Sequence, residues 1–565
     1  MRMGKQMVGK SAKGILVSYS GYPYTPSSLM PDNGLANLAG ALKREGHEAK
    51  IFDFGTVETI ELLYPPEISK KVRPIFEKIS EGKKLSFMEK AKMLYLNHEL
   101  EKHQIKQVER ISASIERTAN DFGADFVGLK LWNGDGFSGS VAIAEHLKKA
   151  LPHIKIFAGG PHADLFKELI LKKTSAFDAI ACADGEDVIC KLVEYAVGER
   201  KNLSEVPNLI YRDESGKIRL NEREWISDLN SLAEPVYDED VYPSMRGNQK
   251  IKIITLDESR GCPFGCYFCA QPAKSGSRTR TKNPERIAGE ISRLIRKYGI
   301  NVFRYAGSST PGKLMLDVAK ILKEKGIKVM YSSFAEANLL NGDEEMRLLR
   351  ESGLVSLFFG IESGSQKMLD SIHKCLSLGV LKKALQSSKK ARIYTVGSLI
   401  YPLPGESSET KYETLRFLEE TWPDSVPVQF AGLYPGTPWF SEPGKYGFLT
   451  DMDEYPEKVM DYKIKLLFPP NLWKDPGYRI DGKKFRRFSQ ETMSMIRDIE
   501  KMGILTGVSD DQFLMAELAG MNPSEFRDKN REYFFTGDHE NIGKMVERIN
   551  RNISGFYSLN RRIIT

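Results

Sequence analysis

The sequence contains one segment that decides the fold, Arg260-Gly-Cys262-Pro-Phe-Gly-Cys266-Tyr-Phe-Cys269. It holds three of the six cysteines of the chain, separated by three and then two residues. Thiolates at this spacing can ligate three irons of a cubane [4Fe-4S] cluster and leave the fourth iron open to an outside ligand. The segment therefore predicts an iron–sulfur site on Cys262, Cys266 and Cys269.

A zinc site is the alternative interpretation of these cysteines. Structural zinc takes four protein ligands, usually as two Cys or Cys/His pairs. No second pair follows the triad, since His373 and Cys375 are isolated from it. We therefore favour the cluster. Cys182 lies in a predicted strand, where we expect a buried and inert thiol.

Composition bounds the class of protein and its partners. The chain has 565 residues, 41% of them hydrophobic and 28% charged, which predicts several globular domains. The formal net charge of +7 is mild for this length and gives no argument for a nucleic-acid partner. We find neither an apolar run of about 20 residues nor a signal core near the N-terminus. We expect a cytoplasmic monomer without a membrane partner.

Strand and helix signals alternate through the first part of the chain. This alternation predicts a doubly wound, Rossmann-like parallel sheet over residues 1–200, with a charged helical insertion at about 58–120. Ligands of such sheets bind outside the carboxyl ends of the strands. Residues 201–248 are predicted as a connector. The predicted strands cover residues 14–18, 48–54, 126–131, 155–158 and 178–182.

A second series of strand and helix signals begins at about residue 251. Six repeats predict a partial (β/α)6 TIM-type barrel over residues 249–440, with its site at the carboxyl ends of the strands. Residues 441–565 are predicted as a mainly helical region that covers the substrate channel. The predicted barrel strands cover residues 251–256, 301–305, 328–332, 354–359, 394–400 and 428–433.

The cysteine motif, with Phe268 before its last cysteine, resembles that of the radical SAM superfamily, and the resemblance extends over residues 251 to about 440. It implies that S-adenosylmethionine (SAM) occupies the open iron and that the backbone of Phe268 contacts the adenine. The segment Gly360-Ile-Glu362-Ser-Gly364 is similar to the fourth-strand motif of that family, which implies that Glu362 binds the ribose. Segments 397–406 and 434–438 resemble the fifth- and sixth-strand segments, which makes Ser398 and Tyr434 candidate SAM contacts.

One family motif is absent. The usual Gly-Gly-Glu after the second strand is replaced by Tyr305-Ala-Gly307-Ser308-Ser. Backbone carbonyl groups at Gly307 and Ser308 can still bind the amino group of SAM. We therefore keep both residues as predicted SAM contacts.

The first 200 residues resemble the cobalamin-binding domain that precedes the barrel in class B radical SAM enzymes. The signals that match are residues 31–39, 159–162 and 184–186. Glycines allow a large flat ligand to approach the backbone, and helix N-termini suit its phosphate. The alternative is a doubly wound domain that binds another ligand or none. The predicted cobalamin contacts are Trp132, Asn133, Gly159, Gly160, Pro161, His162, Gly185 and Glu186.

The resemblance also bears on the lower face of the corrin. The histidine of the D-x-H-x-x-G motif, which ligates cobalt in other B12 proteins, is absent, and Asp135-Gly-Phe-Ser-Gly139 stands in that region. We expect base-off methylcobalamin without a histidine ligand. Trp132 is the candidate residue beneath the corrin; the alternative is a packing aromatic.

The family resemblance implies C-methylation. A radical derived from SAM would remove hydrogen from an unactivated sp3 carbon, which then takes the methyl group of methylcobalamin. We assign no catalytic residue beyond those that hold the cofactors. The predicted substrate is a peptide or protein, specifically a glutamine of methyl-coenzyme M reductase in a methanogen, and a low-potential electron donor is expected. The alternatives are a small-molecule natural-product methylase and a non-methylating oxidoreductase or cyclase.

Overall fold

The first half of the chain forms a seven-stranded sheet in the order β2-β1-β3-β4-β5-β6-β7. The computed structural model describes residues 11–338, 340, 342–463 and 473–555. Strands β1 to β5 pair in parallel, and β6 and β7 continue the sheet in antiparallel fashion. The strands are β1 (Lys13–Ser18), β2 (Glu48–Asp53), β3 (Phe126–Lys130), β4 (Lys155–Gly159), β5 (Ala179–Ala181), β6 (Leu209–Arg212) and β7 (Ile218–Leu220).

Helices cover both faces of this sheet, which explains why its central strands are almost wholly apolar. The longest, α4, is begun by a capping box between Ser86 and Glu89 and ends at Gly123, whose φ is +66°. The helices are α1 (Asn33–Arg44), α2 (Val57–Leu63), α3 (Pro66–Ser80), α4 (Phe87–Phe122), α5 (Asp135–Ala150), α6 (Pro161–Phe166), α7 (Glu168–Lys173) and α8 (Glu186–Ala196).

The second half forms a six-stranded parallel sheet whose strands follow chain order, β8-β11-β12-β13-β14-β15. A separate ribbon of two short strands, β9 and β10, stands beside it. The strands are β8 (Ile254–Leu256), β9 (Ser259–Arg260), β10 (Arg280–Thr281), β11 (Val302–Tyr305), β12 (Met330–Phe334), β13 (Leu354–Glu362), β14 (Tyr394–Ile400) and β15 (Val428–Gln429).

Helices also separate the strands of this second sheet. Its buried side chains pack against α10, α11, α12 and α14, as a partial barrel requires. The helices are α9 (Gln271–Ser275), α10 (Pro284–Tyr298), α11 (Gly312–Glu324), α12 (Asp343–Glu351), α13 (Gln366–Ser371), α14 (Leu378–Lys390) and α15 (Ser408–Thr421).

The C-terminal region adds helices and one hairpin. Helix α19 packs against β12, β13 and β14, and at its start Asp510 binds Arg304 through two hydrogen bonds of 3.0 and 3.1 Å. This region contains α16 (Pro438–Ser441), β16 (Phe448–Thr450), α17 (Tyr455–Met460), β17 (Tyr478–Ile480), α18 (Phe485–Lys501), α19 (Asp510–Ala519), α20 (Pro523–Thr536) and α21 (His539–Ser554).

The predicted fold class is confirmed, with three differences in detail. The predicted connector, residues 201–248, supplies β6 and β7 to the first sheet. The last barrel strand is shorter than expected, and the C-terminal region contains the β16–β17 hairpin. No helix within the described residues is both long and apolar enough to cross a bilayer.

Candidate functional site

The three cysteines lie on a loop that the β9–β10 ribbon closes. The Cys262 N–H donates to Gly276 O at 3.1 Å, and the Cys269 N–H donates to Cys266 O at 3.1 Å. Burial raises the pKa of the Cys266 thiol to about 12; Lys374 opposes this rise, and the nearby Cys269 reinforces it. The Cys269 thiol also raises the pKa of the Cys262 thiol, so these side chains lie near one another on the loop.

These donors fit a cubane better than a single ion. Within the described ranges, no three Cys, His, Asp or Glu side chains are gathered closely enough to hold one metal ion. A cubane binds each thiolate at a different corner, so its ligands stand farther apart than those around one zinc. The buried cation of Lys374 beside the cysteines also suits the negative charge of a thiolate-bound cluster.

A buried acid faces the cysteine loop at the end of β13. Glu362 has a φ of +62°, which is unusual for a residue with a side chain, and it lies at a register shift in the β13–β14 pairing. Lys374 Nζ lies 3.8 Å from Glu362 Oε1, and Ser398 Oγ donates to Glu362 Oε2 at 3.5 Å. Burial raises the pKa of Glu362, and Lys374 opposes that rise. The structure thus brings the predicted Glu362 and Ser398 together with Lys374, which the sequence prediction missed.

The two predicted aromatic SAM contacts lie near the start of α16. The ring of Phe268 packs against Trp439 with 6.0 Å between centroids, and the Trp439 N–H donates to Tyr267 O at 3.2 Å. Tyr434 is 49% exposed, so its ring borders open space rather than the core. Its carbonyl group accepts a hydrogen bond of 2.7 Å from the Thr437 hydroxyl.

The loop that replaces Gly-Gly-Glu is organised by an acid the sequence prediction missed. The buried carboxylate of Glu258 accepts hydrogen bonds from the N–H groups of Ala306 (2.9 Å) and Gly307 (3.0 Å) and from Thr310 Oγ1 (2.7 Å). The N–H of Gly307 is therefore occupied, and its carbonyl group is the atom left for a ligand. The acid precedes the cysteine motif by four residues, which was the available signal.

A cavity of about 430 Å³ lies between the first sheet and the barrel. Glycines on its wall stand where a side chain would crowd neighbouring residues: a Cβ at Gly128 would meet Leu16 at 3.2 Å, and one at Gly159 would meet Ala181 O at 3.3 Å. A glycine-lined cavity at the carboxyl ends of parallel strands fits a large planar ligand such as cobalamin. The predicted contacts on its wall are Gly159, Gly160, Pro161, Gly185 and Glu186.

A second cavity of about 420 Å³ contains Trp132 and Asn133 in its wall and shares Asn33 and Lys130 with the first. Trp132 Nε1 donates to Ser18 Oγ at 3.0 Å, and Lys130 Nζ lies 4.4 Å from the centroid of the indole ring. These contacts hold the indole at the carboxyl ends of β1 and β3, in the wall of the second cavity.

His162 is a correction to the predicted cobalamin contacts. Helix α6 begins at Pro161, and the next side chain turns into the domain core, where its ring lies 4.6 Å from Phe137 and 4.4 Å from Phe166. It is absent from the walls described for both cavities. Burial lowers the pKa of His162 to about 4, so the ring is neutral near neutral pH.

Comparison with known proteins agrees with this geometry. A model of the radical SAM superfamily matches residues 259–418, and a model of the B12 binding domain matches residues 95–193. The chain is 27% identical over 349 residues to an uncharacterized methyltransferase of Pyrococcus horikoshii, covering 60% of this chain and 74% of that protein. It is 26% identical over 317 residues to the anaerobic magnesium-protoporphyrin IX monomethyl ester cyclase of Rubrivivax gelatinosus, covering 54% of this chain and 56% of the cyclase.

Solved structures share the whole arrangement of domains. The radical SAM methyltransferase TsrM of Kitasatospora setae, with cobalamin and a [4Fe-4S] cluster bound, superposes with a TM-score of 0.61 at 13% identity, over 93% of this chain and 98% of that one. The cobalamin-dependent radical SAM enzyme OxsB superposes with a TM-score of 0.60 at 14% identity, over 98% of this chain and 82% of that one.

The chain therefore combines a region that matches the radical SAM superfamily with a region that matches the B12 binding domain. The relatives and the solved structures to which it is similar include methyltransferases.

Proposed function

We propose that this enzyme transfers a methyl group from methylcobalamin to an unactivated sp3 carbon. The observation that carries the proposal is the cavity of about 430 Å³, whose wall combines the glycine loops of the first domain with Arg260, Gly261 and Ser308 beside the cysteine loop. When bound, the cluster supplies the electron that cleaves SAM and cobalamin supplies the methyl group. A low-potential electron donor would reduce the cluster.

The barrel residues would position SAM. The carboxylate of Glu362, beside Ser398, would accept hydrogen bonds from the ribose hydroxyl groups, and the cation of Lys374 would pair with the carboxylate of SAM. Phe268 and Tyr434 border the adenine. Carbonyl groups at Gly307 and Ser308 accept hydrogen bonds from the amino group of SAM. Holding these groups in fixed positions converts binding energy into orientation of the reacting atoms.

The first domain would hold cobalamin base-off and without a histidine ligand. No histidine is among the residues described in the walls of the two cavities. Trp132, fixed by Ser18 and Lys130, would be among the residues that hold the corrin. An indole ring is a poor cobalt ligand, so Trp132 would fill space beside the cofactor without binding the metal.

We further propose a peptide or protein substrate, with a glutamine of methyl-coenzyme M reductase as the specific candidate. A groove of about 1450 Å³ lies between α4, α5 and the β16–β17 hairpin. It shares Tyr22, Asp135 and Tyr462 with the second cavity, so the groove adjoins that cavity. Its size suits an extended segment of polypeptide better than a compact metabolite.

A small molecule is the second candidate substrate, and the names of relatives favour it. The chain is 25% identical over 416 residues to the cytidylyl-2-hydroxyethylphosphonate methyltransferase of Streptomyces wedmorensis. The similarity to the Rubrivivax cyclase also makes a reaction without methyl transfer a third candidate function.

A single anaerobic assay separates these functions. The reconstituted enzyme is incubated with cobalamin, a strong reductant and SAM that carries a deuterated methyl group. One sample contains a peptide of methyl-coenzyme M reductase with the candidate glutamine, and a parallel sample contains cell metabolites. A deuterated methyl group on the peptide supports the first proposal, and the same label on a metabolite supports the second. A metabolite converted without label, together with 5′-deoxyadenosine, contradicts C-methylation.

A further inference from the structure

Both ends of the cysteine loop are held by one carboxylate of the first domain. Arg260 and Arg280 face each other across the β9–β10 ribbon, at the start and end of the segment 261–279 that carries the cysteines. Arg260 donates to Asp184 Oδ1 at 2.9 Å, and Arg280 donates to Asp184 Oδ2 at 2.5 Å. Asp184 follows β5, so this contact crosses the boundary between the two domains.

Arg260 makes further charged contacts. Its guanidinium donates to Glu186 at 2.5 and 3.1 Å and to Asp257 from 2.5 to 3.2 Å. The Arg260 side chain is 14% exposed and that of Glu186 is 6% exposed. Buried, charge-assisted contacts of this kind have fixed geometry, and loss of one partner leaves another buried charge uncompensated. The cysteine loop therefore cannot shift without disturbing the loop of residues 184–186.

The loop of residues 184–186 and the side chain of Arg260 also border the proposed cobalamin site. Gly185 and Glu186 lie in the wall of the cavity of about 430 Å³, and so does Arg260. The loop of residues 184–186 thus contacts the cavity on one side and the arginines on the other. A ligand in the cavity would act on the same side chains that hold the cysteine loop.

We infer that these side chains, Arg260, Arg280, Asp184 and Glu186, form a clamp that couples cobalamin binding to cluster binding. Arg260 is the central positioning residue of this clamp. The inference rests on the proposed function, which supplies the two cofactors. Because coupling between two bound ligands is reciprocal, each cofactor should favour binding of the other.

Hydroxocobalamin titrations of the full-length protein, with and without a reconstituted cluster, test this clamp. We expect the dissociation constant of the wild-type protein to fall at least about fivefold when the cluster is present. The ratio of the dissociation constants without and with the cluster should be near one in Arg260→Lys and in Glu186→Gln. Lysine lacks the paired N–H donors of the guanidinium, and glutamine lacks the negative charge of glutamate. The Mössbauer spectrum of the oxidised cluster should change on addition of hydroxocobalamin in the wild type and stay unchanged in these variants.

A matched control removes a buried ion pair that lies wholly within the barrel. Lys282 and Glu290 are 2.8 Å apart and about equally buried, with 4% and 5% exposure. Lys282→Met should lower the stability of the protein, yet its ratio of hydroxocobalamin dissociation constants without and with the cluster should equal that of the wild type. Loss of the ratio in this control would mean that general destabilisation, rather than the clamp, explains the result.

The outcomes separate this inference from the proposed function. A wild-type ratio of one, with both cofactors bound, overturns the clamp. The clamp is also overturned if Glu186→Gln weakens binding equally in both forms and keeps the ratio, since Glu186 would then be a direct cobalamin contact. Glu186→Gln decides the question alone if Arg260→Lys does not fold. Absence of either cofactor from the reconstituted wild type contradicts the proposed function instead.

Discussion

Side chains of very different chemistry meet around the cysteine loop, and each has a distinct local cause. Cys262 and Cys266 are buried, Glu362 adopts a left-handed backbone conformation, and Lys374 supplies a cation near both groups. Residues held in such unusual conformations concentrate at functional sites. The cysteine spacing made this site predictable from sequence. Lys374 was not predictable, because a lone lysine in a charged chain gives no signal.

Replacement of one cluster cysteine should abolish the iron–sulfur centre. Cys266→Ala removes one of three ligands, so we expect loss of bound iron, of the visible absorption of the cluster and of SAM cleavage. Cys375→Ala is the matched control, since that thiol is exposed and outside the motif. Iron content of the anaerobically reconstituted proteins measures the effect. Wild-type iron content in Cys266→Ala would contradict the assignment.

Glu362→Gln should weaken SAM binding without unfolding the protein. A hydrogen bond to a charged group contributes about 1.5–3 kcal/mol, so we expect at least a tenfold rise in the dissociation constant of SAM. Glu406→Gln, at another acid of the barrel, is the control. Equilibrium dialysis with the reconstituted enzyme provides the measurement, and an unchanged SAM affinity would exclude Glu362 from the ribose site.

His162 should make the protein less stable in acid. Its folded pKa of about 4 lies below the ordinary value of 6.5, so the unfolded chain binds the proton more readily. The stability from this buried neutral ring is complete above about pH 6.5 and is lost as the pH falls towards 4, by about 3 kcal/mol.

His162→Phe should flatten this part of the stability profile, and His153→Gln, at an exposed position, should not. Urea denaturation at pH 5 and pH 7 compares the three proteins. An equal loss of stability in the wild type and in His162→Phe would place the acid sensitivity elsewhere.

At the scale of elements, the sequence predicted those with strong periodicity and missed those defined by distant partners. The strand of residues 394–400 was predicted with its observed bounds. The sequence predicts a connector where β6 and β7 form, because short antiparallel edge strands have no period long enough to recognise. The contacts of Asp184 with Arg260 and Arg280 were also invisible, since 76 and 96 residues separate the partners.

Helix α19 illustrates how a late element completes an earlier sheet. Asp510 is fully buried and is the partner of Arg304 on β11. Asp510→Ala would remove two charge-assisted hydrogen bonds from a guanidinium that is 24% exposed, so we expect a loss of about 1.5–3 kcal/mol in the free energy of unfolding. Asp317→Ala, which removes an exposed ion pair with Lys313, should cost less than about 0.5 kcal/mol. Urea denaturation compares the two, and equal losses would contradict this role for α19.

At the scale of the whole molecule, the cavity proposed for cobalamin and the cysteine loop meet at the boundary between the two domains. The cavity of about 430 Å³ takes its wall from both domains, and the cysteine loop is fastened to the first domain by two arginines. Sequence patterns identified each half, because each has its own motifs. The closeness of the two sites could not be predicted from the sequence, because it arises from packing between the two domains.

The most direct test of this account is the pair of products that the enzyme makes from SAM during turnover. The reconstituted protein is incubated anaerobically with SAM, a reductant and the peptide or metabolite sample described above, with or without cobalamin. 5′-Deoxyadenosine and S-adenosylhomocysteine are then measured by mass spectrometry. We predict 5′-deoxyadenosine and S-adenosylhomocysteine in equal amounts, formed together only when cobalamin is present. Formation of 5′-deoxyadenosine alone, at saturating cobalamin, would contradict methyl transfer.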